Sequence, residues 1–141
     1  MTPKLRNAAR WFLPDAPDVE RVALGKEPEG RISLSAVREG ATIVVEARDD
    51  GRGLDRDRIR ARALGMGLID AEQSPLDPEL FELIFHPGFS TSEQASRIAG
   101  RGVGMDVVRR NVEEVGGVVA VRSERGVGTA FRIELPLTVA I

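Results

Sequence analysis

Glycines stand at alternate positions, Gly100, Gly102 and Gly104, directly before Met105, where an apolar pattern of helical period begins. Glycine leaves the backbone free to turn several N–H groups toward one anion. The start of a helix adds unpaired N–H donors and the positive end of its dipole. The stretch therefore indicates phosphate binding. A turn that needs glycine only for its conformation explains this stretch alone equally well, because glycine-rich motifs are common.

Two further glycine-dense stretches lie at 49–53 (Asp-Asp-Gly-Arg-Gly) and at 126–128. A dinucleotide-binding loop does not fit, because the third glycine of 100–104 is one position early and no strand precedes it. A Walker loop does not fit either, since no Gly-Lys-Ser/Thr follows. The aspartates at 49, 50, 55 and 57 are not spaced as in a calcium loop. The common phosphate and calcium signatures are thus excluded.

The composition is that of one globular domain: 141 residues, 42% hydrophobic and 30% charged. The absence of cysteine and the single histidine exclude thiolate metal sites, a zinc cluster and a Ser/His triad with a spare base, so any metal must have oxygen ligands. A net charge of −2 argues against nucleic-acid binding. Without a signal peptide or a membrane-length apolar run, the sequence predicts a cytoplasmic protein.

The periodicity predicts helices and paired strands in one α+β layer arrangement, an antiparallel-rich sheet covered on one face. The predicted helices are 2–13, 18–24, 56–64 with Asp55 as N-cap, 77–85 with Asp77 as N-cap before Pro78, and a helix from Met105 ending at Gly116. The predicted strands are 31–38 and 42–48, joined at Glu39-Gly40, then 118–123 and 129–135. Residues 89–101 are polar and predict a mobile segment.

Five motifs follow one another along the chain: Asn7 in a helix, 49–53, 85–91, 100–106 and 126–129. Together they resemble the asparagine, first-glycine, phenylalanine, second-glycine and third-glycine boxes of histidine-kinase ATP-binding domains. The residues within these motifs are most similar to those of the chemotaxis histidine kinases. The resemblance covers 5–137. It implies a Bergerat-type fold, a two-layer α/β sandwich whose mixed, mostly antiparallel sheet is covered on one face by helices.

The resemblance also implies roles for single residues. Asp49 would accept a hydrogen bond from the adenine amino group, a role suited to an acceptor-only carboxylate. Gly51 and Gly53 would let the backbone pass close to the base, Leu54 would pack on it, and Thr129 would add a polar contact nearby.

The phosphate end of the implied site involves the second glycine box. Gly102 and Gly104 would cradle the phosphates, 89–99 would form a lid over ATP, and the side-chain oxygen of Asn7 would bind Mg²⁺. The complete set implied to contact Mg-ATP is Asn7, Asp49, Gly51, Gly53, Leu54, Ser90, Thr91, Gly100, Gly102, Val103, Gly104, Met105 and Thr129.

By the same resemblance, the chain would transfer the γ-phosphoryl group of Mg-ATP to a histidine on a separate phosphotransfer domain, so His86 would not be the acceptor. A response regulator would be an indirect partner. A chemoreceptor and coupling-protein array would act through domains that this chain lacks. We expect no nucleic-acid partner and no membrane insertion. The expected organisation is one ATP-binding domain over 1–141, without its N-terminal strands and its flanking dimerisation and receptor-coupling domains.

The first helix departs from the family pattern. Pro3 stands where the chemotaxis kinases usually carry a histidine, and Arg10-Trp11-Phe12 replaces Asp-His-Gly. These changes leave open a degenerate module that binds nucleotide weakly or not at all and lacks kinase activity. A gyrase, chaperone or mismatch-repair type of ATPase is a second alternative, although the wording of 85–91 and 100–106 favours the kinase.

Overall fold

The computed structural model describes residues 18–89 and 104–139. Six of the predicted ligand contacts lie outside these ranges: Asn7, Ser90, Thr91, Gly100, Gly102 and Val103. The predicted first helix, with Pro3 and 10–12, and nearly all of the predicted lid lie outside them as well. Within the described ranges, no helix is both long and apolar enough to cross a membrane.

The described elements are helices and two pairs of consecutive strands. In chain order they are α1 (Asp18–Ala23), β1 (Ile32–Glu39), β2 (Thr42–Asp49), α2 (Arg56–Gly65), α3 (Asp77–Glu82) with a 3₁₀ extension (Leu83–Phe85), α4 (Met105–Glu114), β3 (Val118–Glu124), β4 (Gly128–Pro136) and a 3₁₀ turn (Leu137–Val139). The four strands predicted from alternating apolar residues are thereby confirmed, each within one or two residues at its ends.

The strands form a four-stranded sheet in the order β1-β2-β4-β3, and all three pairings are antiparallel. Gly40, with φ of +61°, lies in the tight turn of the β1–β2 hairpin. β4 lies between β2 and β3, and Arg48 of β2 is paired with Ala130 of β4. This register brings the end of β2 beside the start of β4, and with them the first and third glycine stretches.

The helices cover one face of this sheet. α3 and its extension bury Leu80, Phe81, Ile84 and Phe85. The core cluster that they join consists of Leu54, Ile59, Ala63, Leu80, Phe81, Ile84, Phe85, Phe89, Val112, Val119 and Val121. β3 contributes alternate residues to it, as a strand with one covered face should. β1 is exposed along all eight residues and forms a sheet edge. The predicted two-layer α+β arrangement is confirmed.

The helix caps agree with the prediction in one case and correct it in another. Asp55 caps α2 as predicted, and its Oδ1 accepts from the Arg58 N–H at 3.1 Å. The prediction that Asp77 caps α3 is wrong, because Leu76 is the N-cap residue. Glu79 Oε2 accepts from the Leu76 N–H at 3.1 Å, and the Asp77 carboxylate instead pairs with Arg56.

The third glycine stretch offers a direct test of the strand register. An ideal Cβ on Gly128, where φ is +144°, would lie 2.1 Å from the Asp49 carbonyl oxygen. We expect Gly128→Ala to lower the free energy of unfolding by about 2–4 kcal/mol, because strain and overlap add. Urea denaturation measures this loss.

Two other glycines serve as controls. Gly126 has φ of +81° but nothing within 4 Å of an added Cβ, so Gly126→Ala should cost only about 1 kcal/mol for the conformation itself. Gly65, in α2, also has open space and no positive φ, and its replacement by alanine should be neutral or stabilising. Equal losses for Gly128→Ala and Gly126→Ala would contradict the close approach of β4 to Asp49.

Candidate functional site

The Asp49 carboxylate lies at the end of β2, half-buried. Its Oδ1 accepts from the Gly51 N–H at 2.8 Å and lies 3.3 Å from the Thr129 nitrogen, which donates to it from the start of β4. No described residue donates to Oδ2. One oxygen is thus held by two backbone N–H groups, and the other is available to accept from a ligand. A carboxylate oxygen left open in this way could accept from an N–H group of a ligand.

Ser123, at the end of β3, joins the two glycine stretches. Its hydroxyl oxygen accepts from the Leu54 N–H at 2.7 Å and lies 3.0 Å from the Thr129 hydroxyl. It donates to the Gly128 carbonyl at 3.1 Å, so the Thr129 hydroxyl donates to it in turn. The sequence analysis missed Ser123. The available signal was a polar residue on the same face as the buried Val119 and Val121.

Close backbone contact between the glycine stretches explains the glycine at position 53 by packing. A Cβ on Gly53, where φ is +81°, would lie 2.5 Å from the Glu124 carbonyl oxygen. The N–H of Gly126 donates to the Arg52 carbonyl at 2.7 Å. Gly51 differs, because its Cβ would lie 3.0 Å from Asp49 Oδ1 and would crowd the carboxylate itself. Glycine therefore serves both the packing of this corner and access to Asp49.

Leu54 and Thr129 are both buried, whereas direct contact with a ligand needs some exposed surface. Leu54 is 4% exposed and belongs to the core cluster, and Thr129 is 2% exposed. The N–H and hydroxyl of Thr129 go to Asp49 and Ser123, so in the structure it positions the carboxylate. That Leu54 packs on a base and that Thr129 makes a polar contact with it stay predictions.

The second glycine stretch is described only from Gly104 onward. Gly104 is the buried N-cap residue of α4, with φ of −79° and ψ of 171°, a conformation open to any residue. Met105 is half-buried and packs against the core cluster that contains Leu54. The first turn of α4 leaves backbone N–H groups without partners within the helix. The structure therefore describes only the end of the stretch predicted to cradle phosphates, and that role stays a prediction.

The phenylalanine motif fixes α3 and α4 to the sheet. Phe85 is 2% exposed, and its ring meets Phe131 of β4 edge to face, with centroids 6.4 Å apart. The guanidinium carbon of Arg109, on α4, lies 4.2 Å from the Phe85 ring centroid, and Arg109 pairs with Glu82. His86 is exposed and ends the 3₁₀ turn, with Nδ1 3.0 Å from the Pro87 carbonyl oxygen. Phe85, the first residue of the motif, thus packs α3 and α4 against the sheet.

Asp50, next to Asp49, has a different environment. Its Oδ1 accepts from the Arg31 N–H and its Oδ2 from Arg21, both at 2.8 Å. Burial alone would raise the pKa of Asp50. The hydrogen bonds from Arg21 and Arg31, with the charges of Arg21 and Lys26, outweigh that effect and lower the pKa below its ordinary value of 3.8. Asp50 is therefore an ionised structural carboxylate, whereas Asp49 has an oxygen to offer.

The described residues contain no cluster of metal-binding side chains of their own. Across 18–89 and 104–139, no group of three or more His, Cys, Asp or Glu residues could hold a metal ion. The predicted ligand, Asn7, lies outside those ranges.

The sequence profile of the histidine kinase-, DNA gyrase B- and HSP90-like ATPases matches residues 5–139, and the chain belongs to this family. The Bergerat-type fold implied by the resemblance is accordingly confirmed, as is the resemblance to the chemotaxis kinases. The chemotaxis protein CheA of Rhizobium meliloti is 44% identical over all 141 residues, which are 18% of that protein. CheA of Salmonella typhimurium is 49% identical over 122 residues, 86% of this chain and 18% of that protein.

A third relative is the sensor histidine kinase CheAY of Helicobacter pylori, 47% identical over 125 residues, 86% of this chain and 15% of that protein. The chain thus spans less than a fifth of the length of these relatives. The solved catalytic domain of the histidine kinase ThkA is 23% identical and superposes with a TM-score of 0.47, covering 76% of this chain and 53% of that one.

The Asp50 environment predicts acid sensitivity. A folded-state pKa below the unfolded value gives stability that is present above about pH 4 and is lost as the pH falls through the folded-state pKa. We expect Asp50→Asn to be less stable at pH 7, by at most about 1 kcal/mol because its carboxylate is 38% exposed, and to lose less stability than the wild type between pH 5 and about pH 3. Urea unfolding at each pH measures both effects. Asp70→Asn, at an exposed position, should keep the wild-type pH dependence. Identical pH profiles for all three proteins would contradict this assignment.

Proposed function

We propose that this chain is the ATP-binding catalytic domain of a chemotaxis histidine kinase. In this proposal it transfers the γ-phosphoryl group of Mg-ATP to a histidine on a phosphotransfer domain. The observation that carries the proposal is the Asp49 carboxylate, with Oδ1 held by the N–H groups of Gly51 and Thr129 and Oδ2 free of described donors. The exocyclic amino group of adenine supplies the donor that Oδ2 lacks.

The described residues fit an adenine nucleotide. Gly51 leaves the approach to the carboxylate without a side chain, and a Cβ there would crowd Oδ1. Gly53, Leu54 and Thr129 complete the base end of the proposed site. The proposed phosphate end comprises Gly104 and Met105 at the start of α4, with Ser90, Thr91, Gly100, Gly102 and Val103. Asn7 would hold Mg²⁺, which supplies charge neutralisation at the phosphates when bound.

Kinship favours this proposal over both alternatives. The alignment with CheA of Rhizobium meliloti, at 44% identity overall, covers all 141 residues, so it includes the segment that contains Pro3 and 10–12. This supports an intact domain over a degenerate one. Two of the three relatives described above are named chemotaxis proteins and the third a sensor histidine kinase, which supports a kinase over a gyrase, chaperone or repair type of ATPase. Further proposed partners are a chemoreceptor and coupling-protein array and, indirectly, a response regulator. The proposed location of the chain itself is the cytoplasm.

Nucleotide binding can be tested by calorimetric titration with Mg-ATP. We expect the unsubstituted chain to bind, and Asp49→Asn to bind about 10–100-fold more weakly, because a hydrogen bond to a charged acceptor contributes about 1.5–3 kcal/mol. Asp70→Asn is the matched control and should bind like the unsubstituted chain, because Asp70 is exposed and its described hydrogen bonds are with Gln73. Equal binding by Asp49→Asn, or no binding by the unsubstituted chain, would sink the nucleotide-site assignment.

Phosphoryl transfer requires a separate assay. With γ-labelled ATP and an isolated phosphotransfer domain from a CheA relative, we expect label on the acceptor histidine. ATP binding without any label would leave a nucleotide-binding module. In that case, the combined changes Pro3→His, Arg10→Asp, Trp11→His and Phe12→Gly should restore transfer if the first helix carries the defect.

A further inference from the structure

Arg21, on α1, is buried although it carries a charge. It is 5% exposed, and its guanidinium makes four hydrogen bonds. Nε donates to the Glu27 carbonyl at 2.9 Å, and Nη2 donates to the Glu29 carbonyl at 3.1 Å and to Asp50 Oδ2 at 2.8 Å. Nη1 donates to the Asp50 carbonyl at 3.1 Å. The planar fork of an arginine fixes all these groups at once.

Lys26 is a second cation on the same backbone. Its Nζ donates to the carbonyl oxygens of Asp50 and Gly51, both at 2.7 Å. Arg21 and Lys26 therefore meet at one atom, the carbonyl oxygen of Asp50. Both cations spend their described hydrogen bonds on the chain itself. Because they donate to groups of this chain, the two residues shape the loop. A residue that bound phosphate would direct its N–H groups away from the chain.

The group that they hold is the peptide unit between Asp50 and Gly51. The carbonyl of this peptide accepts from Arg21 and Lys26, and its N–H donates to Asp49 Oδ1 at 2.8 Å. Because the peptide is planar, fixing the carbonyl also fixes the direction of the N–H. Two cations on the carbonyl also polarise the peptide, which strengthens the N–H as a donor.

We propose that Arg21 and Lys26 are positioning residues for base recognition, which orient and polarise the Asp50–Gly51 peptide so that its N–H holds the Asp49 carboxylate toward the adenine amino group. This inference rests on the proposed function. It assigns a task to α1 and to the segment 24–31 that none of the five sequence motifs contains.

The distinguishing property is discrimination between bases. Inosine triphosphate carries a carbonyl where ATP carries the amino group, so a correctly held Asp49 carboxylate favours ATP. A residue that only stabilises the fold affects both nucleotides alike, whereas a residue that orients Asp49 affects ATP more. The ratio of the two dissociation constants therefore separates the two roles.

The test uses Lys26→Met, because Lys26 is half-buried and its loss leaves Arg21 to hold the fold. We expect ATP binding to weaken about 5–10-fold and inosine triphosphate binding less than twofold, consistent with the loss of a charge-assisted hydrogen bond. Lys26→Arg, which keeps the cation, should retain most of the discrimination. Arg132→Met is the control: the ion pairs of Arg132 are with Glu134 and Glu39 and do not involve the Asp50–Gly51 peptide, so its ratio should be unchanged.

A readout without nucleotide accompanies the titrations. In Lys26→Met the Gly51 amide should exchange its hydrogen faster, while the melting temperature stays within a few degrees of the unsubstituted value. An unchanged ratio of the two dissociation constants, including the case in which both nucleotides bind more weakly by the same factor, overturns the inference and leaves the proposed function standing. Failure of the unsubstituted chain to bind ATP overturns the proposed function and this inference together.

Discussion

The Asp49 carboxylate joins the end of β2 to the start of β4, and the candidate site depends on this one junction. Oδ1 is held by an N–H from each side, from Gly51 along the chain and from Thr129 eighty residues later. No side chain fits at position 128, because a Cβ added to Gly128 would overlap the Asp49 carbonyl oxygen. The sheet order β1-β2-β4-β3 is what places these groups side by side.

Two sets of hydrogen bonds support this junction between β2 and β4. Ser123 ties Leu54, Gly128 and Thr129 together at the end of β3. Arg21 and Lys26 hold the other side through backbone carbonyls. Asp49 Oδ1, the Ser123 and Thr129 hydroxyls and both Asp50 carboxylate oxygens have partners within the chain, whereas Asp49 Oδ2 is an acceptor without a described donor. Hydrogen-bonded neighbours around a single carboxylate oxygen without a donor suit the binding of one amino group.

The predictability of each feature followed the range of the interaction that produces it. Alternating apolar residues predicted all four strands, and Asp55 capped α2 as its local sequence indicated. The Asp77 cap was wrong because Glu79 reaches back to Leu76 and Arg56 draws Asp77 away. The five motifs located Asp49 and its glycines. They did not locate Ser123 or Arg21, because their partners are distant along the chain, 69 positions in the Ser123–Leu54 bond and 29 in the Arg21–Asp50 bond. Burial of a lone arginine is a property of the folded chain.

Amide NMR of the chain during titration with adenosine tests whether the Asp49 carboxylate and its neighbours bind adenine, independently of phosphates and metal. The account predicts that the largest chemical-shift changes fall on the amides of Gly51, Gly53 and Thr129, around the carboxylate. Changes centred instead on α3 and α4, with these three amides unmoved at saturation, would contradict it.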